Sequence, residues 1–495
     1  MGIVIRQSVI TSIISYFGVV IGYINLLILY PKFLAAEQIG LLRTIQDAAL
    51  LMAPFAQFGL GHSILRFFPG LSKGPDKGNS FVTLTLLLSL VGYAVFLFIF
   101  LLLKQPILGF FRTNASELLD YTQLVLWLTL MIMVITILEY YSRSLLRIVF
   151  PNLLREVGLR LMQLVLVTGY FYKIISFDQF LLYSVIAYLL NLVILLSYLI
   201  VVGGYRLKFD LSNISGTRMK EILAFSTFSF VGTSASIIIS KIDSLMVSGM
   251  KGFSLNAVYT TAFYMATVIE IPKRAITQST TTLLSRAFEE NDLKEVHRIY
   301  QKTALNQAII GSLLLIGIWA NLPNLFNIMP NGDFYSAGMY VVLLVGGAKL
   351  VDMLFGPSSE IIVLSKYYKF NIVVVALLAI TGLSLNYLLI PPYGVIGAAV
   401  ATSIAVVLFN SVKCLFIYLK FKLQPFSGKF LVLLFIAGIT VTMNYLLPQL
   451  NNAILDLLYR SSILTLIFGG LVLLLKVSEE VQSITLKVVR MLGIK

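Results

Sequence analysis

The chain reads as long apolar runs separated by short polar connections, and this alternation continues along almost the whole sequence. A membrane-spanning helix needs about 20 predominantly apolar residues. Fourteen runs approach or exceed that length: 8–30, 39–61, 80–103, 118–142, 150–172, 179–202, 222–249, 254–277, 303–323, 335–357, 368–390, 393–419, 428–448 and 452–475. The pattern predicts an all-α integral membrane protein with about 14 transmembrane helices. The first run is longer than the apolar core of a signal peptide and lacks a small-residue cleavage site, so it is expected to stay as a helix.

Composition supports this class. The 495 residues are 58% hydrophobic and 12% charged, with a mean hydropathy of +0.92. Soluble domains carry about 25% charged residues, so a water-soluble fold would leave this apolar surface uncovered. The net charge of +15 does not point to nucleic acid, because the basic residues lie mostly between apolar runs. Their placement follows the positive-inside rule instead. With the N-terminus inside, 28 of the 37 Lys and Arg residues fall in inner connections or tails. These include Lys73, Lys77, Arg155, Arg160, Lys413, Lys487, Arg490 and Lys495, whereas Lys32, Lys104, Arg112, Lys173, Lys251 and Arg460 fall outside. An even number of spans places both termini in the cytoplasm.

Several chemistries have no visible machinery. The single cysteine, Cys414, excludes an intrachain disulfide, and two histidines, His62 and His297, are too few for a His-ligated metal site. No phosphate loop, zinc-protease helix or nucleophile elbow is present, so neither ATP hydrolysis nor another catalysed hydrolysis is expected. The expectation is a non-enzyme with no metal and no cofactor. Any transport would draw on an ion or substrate gradient, or on a partner.

The candidate chemistry lies inside the apolar runs. Phe225 to Gly249 is long enough to cross a bilayer, yet it holds Lys241 and Asp243. A charge at the bilayer centre costs at least about 2.5–3.5 kcal/mol, so it usually faces protein or water. Lys241 and Asp243 are two apart and need partners on other helices. Arg43 with Asp47, and Lys349 with Asp352, have helical spacing that pairs them on one face. Glu139 with Arg143, and Glu270 with Arg274, form similar pairs near the inner ends of their runs. Such charges either line a polar cavity accepting an anionic head group or are structural pairs and side chains reaching for the interface.

Other features are structural. Residues 279–302 read as an amphipathic cytoplasmic linker. Gly18-x-x-x-Gly22 permits close helix approach. Pro272, Pro323 and Pro357 are expected to end helices rather than bend them for gating, and His62 to be a loop residue rather than a proton carrier. Ser15-Tyr16-Phe17-Gly18 is similar to Ser229-Phe230-Val231-Gly232, the trace of a parallel six-helix repeat.

Three stretches resemble a known family: Phe58-Gly59-Leu60-Gly61-His62-Ser63-Ile64-Leu65-Arg66-Phe67-Phe68-Pro69, Lys241-Ile242-Asp243-Ser244-Leu245-Met246-Val247, and Leu389 to Thr402 with its Pro391-Pro392-Tyr393-Gly394 turn and small-residue helix start. They are similar to segments of the lipid-linked oligosaccharide (O-antigen type) flippases of the multidrug/oligosaccharidyl-lipid/polysaccharide exporter superfamily. The resemblance implies two six-helix lobes in a V, here 1–205 and 206–425, followed by two additional C-terminal helices and a cytoplasmic tail in 426–495. It also implies alternating access that moves an undecaprenyl-diphosphate-linked oligosaccharide from the inner to the outer face of the bacterial inner membrane, for polysaccharide or O-antigen biosynthesis. Basic cavity residues of that family would correspond here to Arg43, Lys241 and Lys349. Implied partners are the lipid-linked substrate, membrane lipids, a coupling H+ or Na+, and polysaccharide-assembly proteins, with no nucleic acid. The alternative is a multidrug or organic-cation antiporter of the same superfamily, with Asp243 as the coupling carboxylate.

Overall fold

The computed structural model describes residues 3–72, 78–209 and 215–482. Lys73, Lys77, Lys487, Arg490 and Lys495 lie outside the described residues. All regular structure among the described residues is helical. Packing divides the chain into two compact units, Met1–Ala257 and Val258–Lys495.

The first unit begins with α1 (Ile3–Tyr23), which continues through a π-helical stretch (Ile24–Leu29) into α2 (Tyr30–Phe33). It goes on with α3 (Ala36–Gln57), α4 (Leu60–Leu71), α5 (Asn79–Leu102), α6 (Lys104–Gly109) and α7 (Thr122–Ser144). Next come α8 (Val149–Leu153), a second π-helical stretch (Leu154–Gly158), α9 (Leu159–Phe171), α10 (Phe177–Val201) and α11 (Gly216–Lys251). The unit boundary falls inside α12 (Phe253–Ala266). The second unit holds α13 (Ile271–Glu289), α14 (Leu293–Ile328), α15 (Gly332–Tyr335), α16 (Met339–Leu354) and α17 (Ser358–Leu364). It ends with α18 (Tyr368–Phe421), α19 (Lys429–Leu446) and α20 (Ala453–Leu474).

Local chemistry explains where helices start. Ser176 opens α10 with a capping box to Gln179, Ser215 caps α11, and Asn452 caps α20. Asp292 accepts from the amides of Lys294 and Glu295, both at 3.0 Å, and starts α14. The expected linker over 279–302 is therefore the end of α13, a short turn and the start of α14.

Eleven helical stretches among the described residues are long and apolar enough to cross a membrane. The difference from fourteen expected segments has local causes. Runs 368–390 and 393–419 share the 54-residue α18, which breaks at Gly394 (φ 56°, ψ −133°). Run 150–172 is interrupted by the π-helical stretch, and 254–277 by a 3₁₀ stretch at Thr267–Glu270. Pro272 starts α13 and Pro357 caps α17, whereas Pro323 sits inside α14. His62 belongs to α4 rather than to a loop.

Each unit has its own core. In the first, Ile64, Phe67 and Phe68 of α4 pack with Met133, Ile137 and Leu138 of α7 and with Leu195 and Leu199 of α10. In the second, Leu305 and Ile309 of α14 pack with Ile436 of α19 and Phe468 of α20. A further cluster joins Leu284, Tyr300, Ile361 and Ile417. Outward positions are as apolar as the cores: Phe98, Leu102, Val165, Leu434 and Leu466 are each more than half exposed. Apolar surface of this extent is stable against hydrocarbon, where helices satisfy their own backbone polar groups.

The Phe58-Gly59-Leu60-Gly61-His62 stretch forms the corner between α3 and α4. Phe58 (φ 51°) and Gly59 (φ 69°) both take left-handed conformations. A Cβ on Gly59 would stand 2.2 Å from the Ser226 carbonyl oxygen of α11. Beside it, the Ser63 and Ser226 hydroxyls are 2.6 Å apart in a hydrogen bond. Only glycine lets the corner sit this close to α11. Gly59→Ala is expected to lower the unfolding free energy in detergent by roughly 1–3 kcal/mol. Gly232→Ala, where nothing lies within 4 Å of the added atom, should leave the melting temperature unchanged or raised. Thermal unfolding of the two variants checks both.

Candidate functional site

A cavity of about 450 Å³ lies within the first unit. Arg43, Gln46 and Asp47 reach it from one face of α3, and Glu139, Tyr140 and Arg143 from the C-terminal end of α7. The π-helical stretch and α9 add Arg155, Glu156, Arg160 and Gln163. Thr136 of α7, Tyr188 and Asn191 of α10 and Lys241 of α11 complete the polar lining. A π-helix places residues five apart on neighbouring positions, so this stretch turns both Arg155 and Arg160 toward one space. Gly18 lets α1 close against the same stretch, since a Cβ there would stand 2.6 Å from the Glu156 carbonyl oxygen. The Asn25 amide then donates to the Arg160 carbonyl at 2.9 Å.

Five cationic side chains (Arg43, Arg143, Arg155, Arg160, Lys241) face three carboxylates (Asp47, Glu139, Glu156) around this cavity. Lys241 pairs with Asp47 at 2.7 Å. Arg155 donates to Glu139 at 2.9 Å and, through Nε, to Glu156 at 3.3 Å; Arg160 pairs with Glu156 at 3.1 Å. Arg43 makes no ion pair with Asp47, contrary to the spacing argument. It donates to Gln46 at 3.3 Å, and its guanidinium lies 5.9 Å from the centre of the Tyr30 ring. Arg43 Nε and Arg160 Nη1 are buried nitrogens with no hydrogen-bond partner among the described residues. His62, which lies outside the candidate spans, shares a 2.9 Å hydrogen bond with the Tyr140 hydroxyl, and burial together with the Arg143 charge holds the imidazole below its usual pKa.

Asp243 is buried at 6% exposure and does not line the cavity, so the structure separates it from Lys241. The repeat partners also differ in setting, because Gly18 is tightly enclosed and Gly232 is not.

The remaining candidates form a second cluster, within the second unit. Spacing pairs Lys349 with Asp352, but the structure pairs each across helices. Lys349 of α16 reaches Glu270 at 2.6 Å, and Lys273 of α13 holds Asp352. The expected Glu270–Arg274 pair is present at 3.6 Å, as is Glu139–Arg143 at 3.7 Å in the first unit. In both cases the shorter contact is to another helix. Lys413, expected in an inner connection, is buried in α18 at 2% exposure. Its ammonium donates to Ser359 at 3.0 Å, lies 3.9 Å from the Phe409 ring centre, and acts electrostatically on Asp352. Arg460, expected outside, is likewise buried, held by Asp456 at 2.7 Å and by carbonyls of Asn444, Leu447 and Pro448.

Sequence reasoning thus missed Arg155, Glu156, Arg160, Gln163 and Lys413 as interior groups. Arg155 and Arg160 stand five apart in a run that begins only at residue 150, so they read as loop charges. The signal was that a five-residue spacing suits a π-helix.

The sequence profile of a family described as polysaccharide biosynthesis protein matches residues 4–281, more than half of the chain. The chain belongs to this family. No curated protein sequence matches. Among solved structures, a lipid II flippase, MurJ, in an inward closed conformation is similar with a TM-score of 0.74 at 14% identity, over 93% of this chain and 98% of that one. An inward-facing multidrug resistance MATE transporter of the MOP superfamily follows at a TM-score of 0.63 and 16% identity, over 85% of this chain and 98% of that one. A MATE structure in complex with MaL6 has a TM-score of 0.55 at 15% identity, over 85% and 96%. At such identities the likeness establishes the fold, which extends beyond the residues the family profile covers.

The Lys241–Asp47 pair allows a direct check. Asp47→Lys or Lys241→Asp alone is expected to destabilise the protein by roughly 1–3 kcal/mol. This is less than for a fully buried pair, because Lys241 keeps 31% side-chain exposure. The double exchange should recover most of the lost melting temperature, measured by thermal unfolding in one detergent.

Proposed function

We propose that this protein flips an undecaprenyl-diphosphate-linked oligosaccharide from the cytoplasmic to the outer face of the bacterial inner membrane, by alternating access, for polysaccharide or O-antigen biosynthesis. One observation carries this reading: the cavity of the first unit holds two more cations than carboxylates and presents buried guanidinium nitrogens with no partner among the described residues. Arginine forks match phosphate geometry, and an uncompensated cation inside a membrane protein is stable only when an anion or water answers it. The family description points to the same class of substrate, and the structurally similar MurJ is a lipid II flippase.

In this mechanism Arg43, Arg160 and Lys241 attract the diphosphate while the glycan occupies the remaining polar volume. Both termini are cytoplasmic. The driving force is a coupled H+ or Na+ gradient or the consumption of glycan by assembly proteins at the outer face. An organic-cation antiporter fits less well, because a cavity of net positive charge repels its cargo.

Deleting the gene in its host should leave lipid-linked glycan on the inner face and remove surface polysaccharide, with rescue by the native chain. Arg160→Ala and Arg43→Ala should lower rescue at least about tenfold while inserting at native levels, since each removes a charge-assisted phosphate contact. Full rescue by the double variant would remove the cavity from the mechanism.

A further inference from the structure

Glu139 stands where two cavities of the first unit meet. It is 8% exposed. It lines both the 450 Å³ cavity and a neighbouring one of about 250 Å³, and Arg143 and Arg155 line both as well. The smaller cavity lies between α1, through Thr11, and the α7–α8 corner, through Ile148, Pro151 and Asn152. There the Asn152 amide donates to Ser15 at 3.1 Å and to the Thr11 carbonyl at 3.3 Å, fixing α8 against α1. The Thr11 hydroxyl is buried with no hydrogen-bond partner among the described residues.

The two arginines are anchored without being used up. Arg155 gives one nitrogen each to Glu139, Glu156 and Asn152 and stays 45% exposed along its side chain. Arg143, also 45% exposed, approaches Glu139 only at 3.7 Å. A guanidinium carries five N–H donors, so both keep donors free for a further anion.

We propose that Glu139 is a placeholder anion: it holds Arg143 and Arg155 at the junction of the two cavities until the diphosphate of the substrate displaces it, and it displaces the diphosphate in turn. The proposal rests on the anionic-head-group reading above and adds the entry route and the exchanging partner. Glu139 is a positioning residue, acting through the arginines. Its carboxylate lowers affinity for the head group and speeds departure, because the arginines never lose an anionic partner. A site that only attracted phosphate would retain it, and transport needs binding weak enough to leave.

The test uses the full chain in lipid nanodiscs with farnesyl diphosphate as the probe, by titration calorimetry, alongside rescue of export in the deletion host. Glu139→Gln should bind the probe about tenfold more tightly than the native protein, the effect of removing one competing charged partner. Export should fall in the same variant, separating affinity from turnover. Arg155→Gln should weaken binding and abolish the gain when combined with Glu139→Gln. Glu139→Asp, which withdraws the carboxylate by one methylene, should lie between native and Glu139→Gln and supplies the answer where Glu139→Gln does not fold. Unchanged or weaker binding in both Glu139 variants, with Arg155→Gln still weakening it, would overturn the placeholder and leave the anion site standing. Absence of saturable binding by the native protein, unaltered in every arginine variant, would overturn the anion site itself and the placeholder with it.

Discussion

An arginine cannot discard its charge, and that constraint organises the first unit. Arg43, Arg155 and Arg160 sit among helices of membrane length, where an unanswered guanidinium is costly. Everything around them supplies partial answers: Glu139 and Glu156 as carboxylates, Gln46 and Asn152 as amide oxygens, the Tyr30 ring as a π face. The backbone follows the same demand. A regular helix through residues 154–158 would aim Arg155 and Arg160 to different sides, and the π-helical stretch keeps them together.

This constraint also marks what the sequence makes legible. Long apolar runs define a membrane protein with little ambiguity, and nearly every expected run coincides with observed helix. The break at Gly394 is readable as well, because a kink between apolar helices favours glycine at positive φ, whereas the corner at Gly59 falls inside the expected run 39–61. The ion pairs are harder to read. Spacing along a helix reports which charges share a face, as Arg43 and Asp47 do around the cavity. It does not report which charge on another helix lies closer, so Asp47 took Lys241, Lys349 took Glu270, and Asp352 took Lys273. Positive-inside counting misplaces Lys413 and Arg460 for a related reason. It reads residues near the end of an apolar run as interfacial, while tertiary packing can bury them against Ser359 or Asp456.

The two charged clusters differ in how far their charges are answered. In the second unit each carboxylate is closely held, Glu270 by Lys349 and Asp352 by Lys273, and the buried Lys413 has both a hydroxyl and an aromatic face. Contacts of this kind fix geometry. In the first unit the same chemistry stops short: two arginines keep a buried nitrogen without a partner among the described residues, and two others are nearly half exposed. A network left incomplete beside a cavity is costly unless water or an anion answers it.

The mixed character of the cavity then has a physical reason. A purely basic pocket inside apolar helices would repel itself when empty and would retain a diphosphate too firmly when full. Under the proposed mechanism, interspersed carboxylates remedy both conditions, neutralising the arginines at rest and competing with phosphate during release. Glu139 is best placed for this, since it alone among the three carboxylates lines both cavities. Asp47 lines the larger cavity only and already holds Lys241 at 2.7 Å, which ties α3 to α11. On this proposal the carboxylates divide the work, one holding helices together and another holding arginines in readiness.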